Sequence, residues 1–404
     1  MVVKNMGEDI PVASKNKNYE LETASILTLG TGWFPQTPGG LERYIYELTH
    51  QLAANQDKIE LCGVGIPKSS ENPLIKLTNL ANPSSPIYQR LWSIRQNFQK
   101  TRVDKPDAIN LHFALYSFPI LDILPKDIPI TFSFHGPWAA ESQQEVVDKK
   151  LSILLKEWLI EKNTYNRCDR FIVLSQAFGN ILHQRYQIPG HKIHVIPGGV
   201  DIEHFQPQLS PKAARMHLNW PSDRPIIFTS RRLVYRTGID KLLQAIATIK
   251  NRIPDIWLAI AGRGHIQNQL QQQADELGLE NHVKFLGFLP DANLPIAYQA
   301  ADLTVMPSQS FEGFGLAIIE SLACGTPVVC TPVGGMPEIL HKFSPDLITE
   351  SITSASIAHT LEQAILGKIF LPSRAECREY TTTNYDWTHI AQKVRQVLLR
   401  TATK

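Results

Sequence analysis

The chain has 404 residues, a length that suggests two or three domains. Hydrophobic residues make up 43% and charged residues 19%, so the chain can bury a large core. The formal net charge of +2 is too small for a protein that binds nucleic acid over a broad basic surface, and we expect no nucleic-acid partner.

The termini and the cysteines bear on the location of the protein. Residues 1–22 are polar and lack the apolar segment of a signal peptide, so we interpret them as a disordered lead. No apolar run reaches the roughly 18 residues that a membrane-spanning helix needs. The five cysteines form no CxxC pair, which favours reduced thiols in a cytoplasmic protein.

The first half of the chain alternates apolar strands with helical stretches. Ser25–Leu29 predicts a strand, followed by a loop rich in Gly and Pro and by a helix over residues 41–53. Further buried strands are predicted at 108–113, 130–134 and 171–174. This alternation indicates a parallel sheet covered by helices, and we assign residues 23–205 to a first domain.

A second series of the same kind follows. Short apolar runs at 226–229, 256–261, 303–306 and 327–330 are separated by helical patterns, which predicts a second domain over 206–372. The join lies near 197–211, where Gly, Pro and polar residues cluster. Residues 373–404 continue with helical periodicity after the last strand. We therefore predict an α/β protein of two doubly wound domains that face each other, with ligands bound at the carboxyl ends of the strands, in the cleft.

A glycine-rich loop is the first candidate binding segment. Pro38, Gly39 and Gly40 lie between a predicted strand and a predicted helix. Glycines let the backbone approach a ligand closely, and a helix N-terminus offers N–H groups to a diphosphate. An ordinary strand-to-helix turn would show the same residues.

An arginine-rich segment follows the strand at 226–229. Arg231, Arg232 and Arg236 fall within six positions, so they could clamp phosphate oxygens. The alternative is a solvated surface cluster. Their place at the end of a strand favours a functional role.

Two carboxylates flank the start of another predicted helix. Glu312 and Glu320 are eight positions apart, a rise of about 12 Å along a helix. That distance matches the span between the sugar and the ribose of a nucleoside diphosphate sugar. The N-terminal amides between them could hold the phosphates. The alternative is a capping residue and a surface charge.

The remaining candidates are weaker. His135 ends a predicted strand beside Gly136 and is a site candidate, whereas most other histidines fit an exposed surface. No zinc-type pair of histidines and no DxD-like pair occurs in the sequence, and we expect no bound metal. The GxG of Gly262 and Gly264 is a weak nucleotide signal by itself.

The stretch 88–102 is basic and carries interleaved apolar residues. One interpretation is an amphipathic helix on a membrane surface, which would reach a lipid-linked acceptor. The other is a helix that packs its apolar side on the sheet. Trp33, Tyr116 and Trp138 lie in segments expected to rim the cleft, where aromatic rings could stack on sugars.

Taken together, these segments resemble glycosyltransferase family 4 over about residues 25–387. The motifs VIPGGVDIEHFQP, SRRLVYRTGID, LAIAGRGH, FLGFLP, AADLTVMPS, FEGFGLAIIESLACGTPVV and TPVGGMPEIL occur in the order that the family shows. The resemblance implies the GT-B fold: an N-terminal acceptor domain, a C-terminal nucleotide-sugar domain and a last helix that returns to the N-domain. It also implies a retaining, metal-independent enzyme that needs no cofactor and uses a nucleoside diphosphate sugar as its donor substrate.

The resemblance assigns roles residue by residue. Glu312 would face the donor sugar and Glu320 the ribose. The remaining implied contacts are sugar and phosphates for the backbone of Phe314, Gly315 and Leu316, phosphate for Arg232, diphosphate for Gly39 and Gly40, the reacting end of the sugar for His135, and the base for Gly264, Phe288 and Leu289.

The chain departs from the family pattern in two places. Thr237 stands where the family has a lysine, and Arg236, one position earlier, is expected to supply the charge. In the glycine strip, Arg263 replaces a common acidic residue and His265 a common proline.

The implied substrates are a UDP-sugar, with a GDP-sugar as the alternative, and a hydroxyl of a sugar, a polysaccharide precursor or a lipid-linked acceptor. An epimerase of the same fold and a catalytically dead binding subunit are the competing functions. The expected location is the cytoplasm, including the inner membrane face. The sequence leaves the oligomeric state open.

Overall fold

A computed structural model describes residues 23–101, 105–140 and 157–400. The predicted disordered lead, residues 1–22, lies outside the described residues. The same holds for the last four residues of the predicted C-terminal segment and for the last residue of the stretch 88–102.

The first domain is built on a seven-stranded parallel sheet. Its strands are β1 (Ser25–Leu29), β2 (Lys58–Val64), β3 (Ile75–Ala81), β4 (Ala108–Leu111), β5 (Ile130–Phe134), β6 (Arg170–Val173) and β7 (Ile193–Val195). They lie in the order β3-β2-β1-β4-β5-β6-β7, so the direction of winding reverses between β1 and β4. All residues of β4, β5 and β6 are buried, because helices cover both faces of the sheet.

The second domain repeats this plan with five parallel strands. They are β8 (Ile226–Ser230), β9 (Trp257–Ala261), β10 (Val283–Gly287), β11 (Leu303–Met306) and β12 (Val328–Cys330). Their order is β10-β9-β8-β11-β12, and the winding reverses between β8 and β11. Each sheet therefore has one switch point, where a ligand site is expected at the carboxyl ends of the strands.

Helices cover the two sheets. They include Gly40–Ala54, Ile87–Lys100, Ala114–Ser117, Lys162–Asn166, Gln176–Tyr186, Pro211–Leu218, Ile239–Ile249, Gln267–Glu276, Leu294–Ala300, Leu316–Ala323, Met336–Leu340, Ser354–Ile365, Arg374–Tyr385 and Trp387–Leu399. The first of these buries one face, with Tyr44, Ile45, Leu48 and Leu52 in the core.

The C-terminal segment is two helices that divide at Asp386. The first, Arg374–Tyr385, begins with a capping box between Ser373 and Glu376 and packs on Leu316–Ala323 of the second domain. The second, Trp387–Leu399, lies against the first domain, where Arg395 Nε and Nη2 bind the carboxylate of buried Asp57 at 2.7 and 2.8 Å. The predicted return of the chain to the N-domain therefore begins after Tyr385.

Candidate active site

The switch points of the two sheets face each other across the domain interface. The loop after β1 leads to Gly40, and His112 and His135 follow β4 and β5. On the other side, Arg231 follows β8, and residues 307–315 follow β11. The sites predicted separately from the two halves of the sequence therefore lie at one interface.

The two domains approach each other closely at this interface. A Cβ built on Gly40 would lie 3.8 Å from Leu316 Cδ1, so the N-termini of helices Gly40–Ala54 and Leu316–Ala323 are neighbours. The hydroxyl of Ser175 donates to the carbonyl oxygen of Gly313 at 2.7 Å. Glu338 accepts the N–H groups of Gln176 and Ala177 across the interface, each at 2.8 Å.

Glu312 is held by an arginine that the resemblance did not assign. Arg231 Nη2 lies 2.5 Å from Glu312 Oε2, and Ser308 Oγ donates to the same oxygen at 3.1 Å. Burial by itself would raise the pKa of Glu312, but attraction to Arg231, and then to Arg236, lowers it below its ordinary value. Glu312 is therefore ionised near neutral pH, and it can accept hydrogen bonds from hydroxyl groups.

The backbone that carries Glu312 needs glycine opposite it. A Cβ on Gly334 would lie 1.8 Å from the carbonyl oxygen of Glu312, and the N–H of Gly335 donates to that oxygen at 3.0 Å. Phe311 has a φ of 46°, which is uncommon for a residue with a side chain. The Gly-Gly of TPVGGMPEIL thus positions the loop of the first carboxylate.

Glu320 is buried at the domain interface, eight residues along the same segment. Its Oε2 accepts the hydroxyl of Tyr298 at 3.0 Å, and Arg43 Nε lies 3.8 Å from its Oε1. Burial raises the pKa of Glu320, and Arg43 and the Tyr298 hydroxyl oppose that rise. Arg43 belongs to helix Gly40–Ala54, so the first domain contributes a cation to the second domain's carboxylate.

Arg43 also pairs with Asp291 of the second domain. Asp291 in turn lies 3.2 Å from His204 Nε2. The guanidinium of Arg43 sits 4.3 Å from the ring centre of Phe34 and 5.2 Å from that of Phe205. These contacts fix Arg43 between the domains beside the carboxylate to which the resemblance assigns the ribose.

The position of the missing lysine is buried. The single hydroxyl proton of Thr237 is shared between the carbonyl oxygens of Arg232 and Val234, which lie 2.9 and 2.7 Å from Oγ1. Arg236 Nη1 donates to the carbonyl oxygen of Phe311 at 3.2 Å and attracts Glu312, whereas Arg232 is exposed at the end of β8. The positive charge at this loop therefore comes from arginines, and Thr237 shapes the turn.

The glycine strip lies next to the arginine loop. A Cβ on Gly264 would lie 2.0 Å from the carbonyl oxygen of Leu233, so only glycine fits this approach. Phe288 is half exposed, and the guanidinium of Arg263 lies 5.8 Å from its ring centre. Leu289 follows it, partly buried against the core. Arg263, a departure from the family pattern, is thus placed beside the residues to which the resemblance assigns the base.

His135 contacts His112 and Tyr44. Its Nε2 lies 3.1 Å from His112 Nδ1, and its ring centre is 4.8 Å from that of Tyr44 in an edge arrangement. Burial lowers the pKa of His135 to about 3, so the ring is neutral at physiological pH. The His135 backbone lies near the loop that follows β11, since a Cβ on Gly313 would lie 3.4 Å from the His135 carbonyl oxygen.

Family models match both halves of the chain. A model described as Glycosyltransferase Family 4 matches residues 38–204, and one described as Glycosyl transferases group 1 matches residues 212–399. The chain belongs to glycosyltransferase family 4. These matches confirm the predicted family. The motifs on which the prediction depended lie mostly in the second half of the chain.

Curated proteins similar to this family 4 member include a GDP-mannose-dependent alpha-(1-6)-phosphatidylinositol monomannoside mannosyltransferase from Mycolicibacterium smegmatis. That protein is 30% identical over 52% of this chain and 57% of its own length. An uncharacterized glycosyltransferase from Methanocaldococcus jannaschii is 27% identical over 90% of this chain and 95% of its own length. The chain spans a little over half the length of most of the curated relatives that it matches, the Methanocaldococcus jannaschii protein being an exception.

Solved structures share the fold. A sucrose-phosphate synthase from Thermosynechococcus elongatus superposes with a TM-score of 0.79 at 22% identity, covering 93% of this chain and 98% of that one. The Anabaena protein HepE, in complex with UDP and glucose, has a TM-score of 0.71 at 22% identity, covering 93% of this chain and 99% of that one. These likenesses confirm the predicted two-domain GT-B fold.

The described part of this family 4 protein contains neither a metal-binding cluster nor a membrane-spanning helix. Within residues 23–101, 105–140 and 157–400, no group of three or more His, Cys, Asp or Glu side chains is arranged to hold a metal ion. Over the same ranges, no helix is long and apolar enough to cross a membrane.

Several site residues of this family 4 member were not identified from the sequence. They are Arg43, His112, Tyr298 and Ser308, together with Arg231 as the partner of Glu312. Arg43, Tyr298 and Arg231 act through contacts between distant segments. Ser308 lies only four residues before Glu312, and its contact was not foreseen from the motif that contains it. The sequence shows Arg231 and Arg232 side by side. Only the path of the loop after β8 decides that Arg231, and not Arg232, contacts Glu312.

Proposed function

We propose that this protein is a retaining glycosyltransferase that moves a sugar from a nucleoside diphosphate sugar to a hydroxyl group of an acceptor. One observation carries the proposal. Buried Glu320 and largely buried Glu312 flank the N-terminus of helix Leu316–Ala323, and a second helix N-terminus at Gly40 faces it from the other domain. A donor lying along this helix start would meet a carboxylate at its sugar, N–H groups at its phosphates and a carboxylate at its ribose.

The proposed roles follow from charge and place. Ionised Glu312 accepts hydroxyls of the donor sugar, and Glu320 accepts the two hydroxyls of the ribose once Arg43 moves aside. Backbone N–H groups near Gly39, Gly40 and residues 314–316 bind the diphosphate. Arg232 and Arg236 stabilise the negative charge that grows on the diphosphate as it leaves. Gly264, Phe288 and Leu289 surround the base.

In the proposed transfer, the bond from the anomeric carbon to the diphosphate oxygen breaks, and a bond to the acceptor oxygen forms on the same face of the sugar. The acceptor proton passes to an oxygen of the leaving phosphate. The positive charge that the reaction needs is supplied by the arginines and two helix N-termini, which supports a metal-independent route. Closure of the two domains would keep water away from the donor.

A UDP-sugar is the favoured donor and a GDP-sugar is the alternative. The mycobacterial relative is named as GDP-mannose-dependent, and the Anabaena structure contains UDP. The unusual Arg263 beside Phe288 is the feature of this chain placed to influence the choice of base. Thermal-shift screening with UDP, GDP and ADP, then with their sugars, should identify the donor, because a ligand at 100 times its Kd stabilises the fold by about 2.7 kcal/mol.

The acceptor is proposed to be a sugar, a polysaccharide precursor or a lipid-linked sugar. Helix Ile87–Lys100 packs one side on the sheet and leaves apolar side chains exposed on another. Ile94 and Phe98 are buried on the sheet, while Ile87, Tyr88 and Trp92 remain exposed. Such an exposed apolar set supports a peripheral contact with the inner membrane face, near a lipid-linked acceptor.

Release of nucleoside diphosphate from the identified donor tests the proposal against its competitors. Slow release without an acceptor, and faster release with one, is expected of a transferase. An epimerase would convert the donor without release, and a binding subunit would bind nucleotide and release nothing. Either result would overturn the proposed transfer.

A further inference from the structure

A line of hydrogen-bonding side chains runs through the first domain's sheet to His135. Ser133 Oγ donates to Asn110 Oδ1 at 3.0 Å, Asn110 Nδ2 lies 2.9 Å from His112 Nε2, and His112 Nδ1 lies 3.1 Å from His135 Nε2. Ser133, Asn110 and His112 are each at most 2% exposed. We call these four residues the β4–β5 chain, because they lie on or just after those two strands.

With the Asn110 amide nitrogen facing His112, the direction of each hydrogen bond follows from the chemistry of the groups. An amide nitrogen donates and does not accept, so His112 Nε2 accepts from Asn110 and carries no proton. Burial, and then the neighbouring His135, lowers the pKa of His112 well below its ordinary value, so that ring is neutral. Its single proton is therefore on Nδ1, and it is donated to His135 Nε2.

His135 is left with one possible proton position. Its Nε2 accepts from His112, and the neutral ring must then carry its proton on Nδ1. Among the residues that the structure describes, His135 Nδ1 has no hydrogen-bond partner, while Tyr44 packs edge-on against the ring. Nδ1–H is thus the group that His135 presents to a ligand.

We propose that Asn110 and His112 are positioning residues that fix His135 as the Nδ1–H tautomer. His135 then acts on the sugar donor as a hydrogen-bond donor, and it does not act as the base that takes the acceptor proton. The assignment of the tautomer stands on the β4–β5 chain alone, whereas its role toward the sugar rests on the proposed function. It also agrees with a transfer in which a phosphate oxygen takes that proton.

The opposite arrangement has the opposite consequence. If the Asn110 amide were turned over, its oxygen would accept from His112 Nε2–H, and His112 Nδ1 would accept from His135 Nε2–H. His135 Nδ1 would then be an unprotonated nitrogen, able to act as a base. A measurement of one proton on His135 therefore separates two chemically different sites.

The test uses the full-length protein with ¹⁵N-labelled histidine. Long-range ¹H–¹⁵N correlation spectra show which ring nitrogen of each histidine carries the proton, and His135→Gln and His112→Gln spectra assign the two signals. We expect His135 with the proton on Nδ1, unchanged between pH 5.5 and 8. A proton on Nε2, a mixture of both tautomers, or a charged ring in this range would overturn the proposal. This result needs no donor and no turnover, so it is independent of the proposed function.

Two variants of His112 test the positioning role. His112→Phe removes the donor to His135, so both tautomers should appear, and kcat with the identified donor should fall roughly tenfold, the effect of one lost hydrogen bond. His112→Gln keeps an amide donor and should recover the Nδ1–H tautomer and most of kcat. A His112→Phe protein with an unchanged His135 tautomer would contradict the role of His112. If that variant does not fold, Asn110→Leu provides the same comparison, since it releases His112 from its enforced tautomer.

Discussion

The ion pair between Arg231 and Glu312 gives a stability prediction that is independent of any substrate. Both side chains are nearly buried, with 10% and 14% of their surface exposed. Arg231→Met removes the guanidinium and leaves the carboxylate with the Ser308 hydroxyl and the more distant charge of Arg236. Breaking a buried pair in this way costs about 3–5 kcal/mol, because one charge remains buried without its partner.

The pH dependence of this loss follows from the sign of the pKa shift. In the native protein the pKa of Glu312 is lowered, so the pair stabilises the fold above the ordinary pKa of a glutamate and loses that effect as the pH falls through the native value. In Arg231→Met, burial without the guanidinium raises the pKa of Glu312. The variant should therefore be weakest near pH 8 and approach the wild type near pH 4.

Urea unfolding of wild type, Arg231→Met, Glu312→Gln and the double variant measures the coupling directly. The double variant should lose less than the sum of the single losses, by about 1–3 kcal/mol. Arg95→Met is the control for an exposed arginine–carboxylate pair, since Arg95 binds both oxygens of Asp122, at 2.6 and 2.7 Å, on the surface. Additive losses within about 0.5 kcal/mol, or an equal effect of Arg231→Met and Arg95→Met, would refute the reasoning.

Three further predictions concern separate parts of the molecule. Thr237→Val should cost about 1–2 kcal/mol of stability, because it removes the one buried hydroxyl shared by two carbonyl oxygens, yet leave nucleotide affinity unchanged in calorimetry. Arg236→Gln should instead weaken binding of the nucleoside diphosphate by about tenfold or more, and equal affinities of the two variants would contradict these roles. Burial raises the pKa of Glu47 to about 7, so native stability should fall by up to about 3 kcal/mol as the pH rises from 4.5 to 7. Glu47→Gln should remove that fall, and thermal melts with parallel pH profiles for the two proteins would rule it out. Replacing Tyr88 and Trp92 together by serine should reduce cosedimentation with anionic vesicles, whereas serine at the equally exposed Met216 should not; no difference between them would argue against a membrane contact through this helix.

The inner strands other than β2, together with the buried edge strand β12, were predicted from the sequence, whereas the edge strands β3, β7 and β10 were not. β1, β5 and β11 have the predicted bounds, because fully buried strands are short apolar runs between polar or Gly-rich turns. β3 and β10 lie at the edges of their sheets and contain the exposed lysines Lys76 and Lys284. Such mixed sequences carry a weak strand signal, since an edge strand is only partly covered.

The candidate site divides in the same way. The spacing of Glu312 and Glu320, and the glycines before the helix, are local features of the sequence. The helix begins only at Leu316, so Glu312 lies in the preceding loop and the rise of about 12 Å expected for eight helical residues does not span the pair. Arg43 and Asp291 are 248 positions apart, and nothing local links them. The sequence could not explain why a threonine replaces the family's lysine at position 237. The structure does, because the side chain of Thr237 is buried in the turn and its hydroxyl contacts two backbone carbonyl oxygens.

The most direct test of the account is the effect of Glu312→Gln on sugar transfer. With the donor identified by thermal shift, the rate of nucleoside diphosphate release with acceptor should fall at least about 100-fold, because a charged contact to the reacting sugar is lost. Binding of the nucleoside diphosphate alone should stay within a few-fold of the wild type, since Glu312 is assigned to the sugar. An unchanged rate of transfer in Glu312→Gln would contradict the central claim.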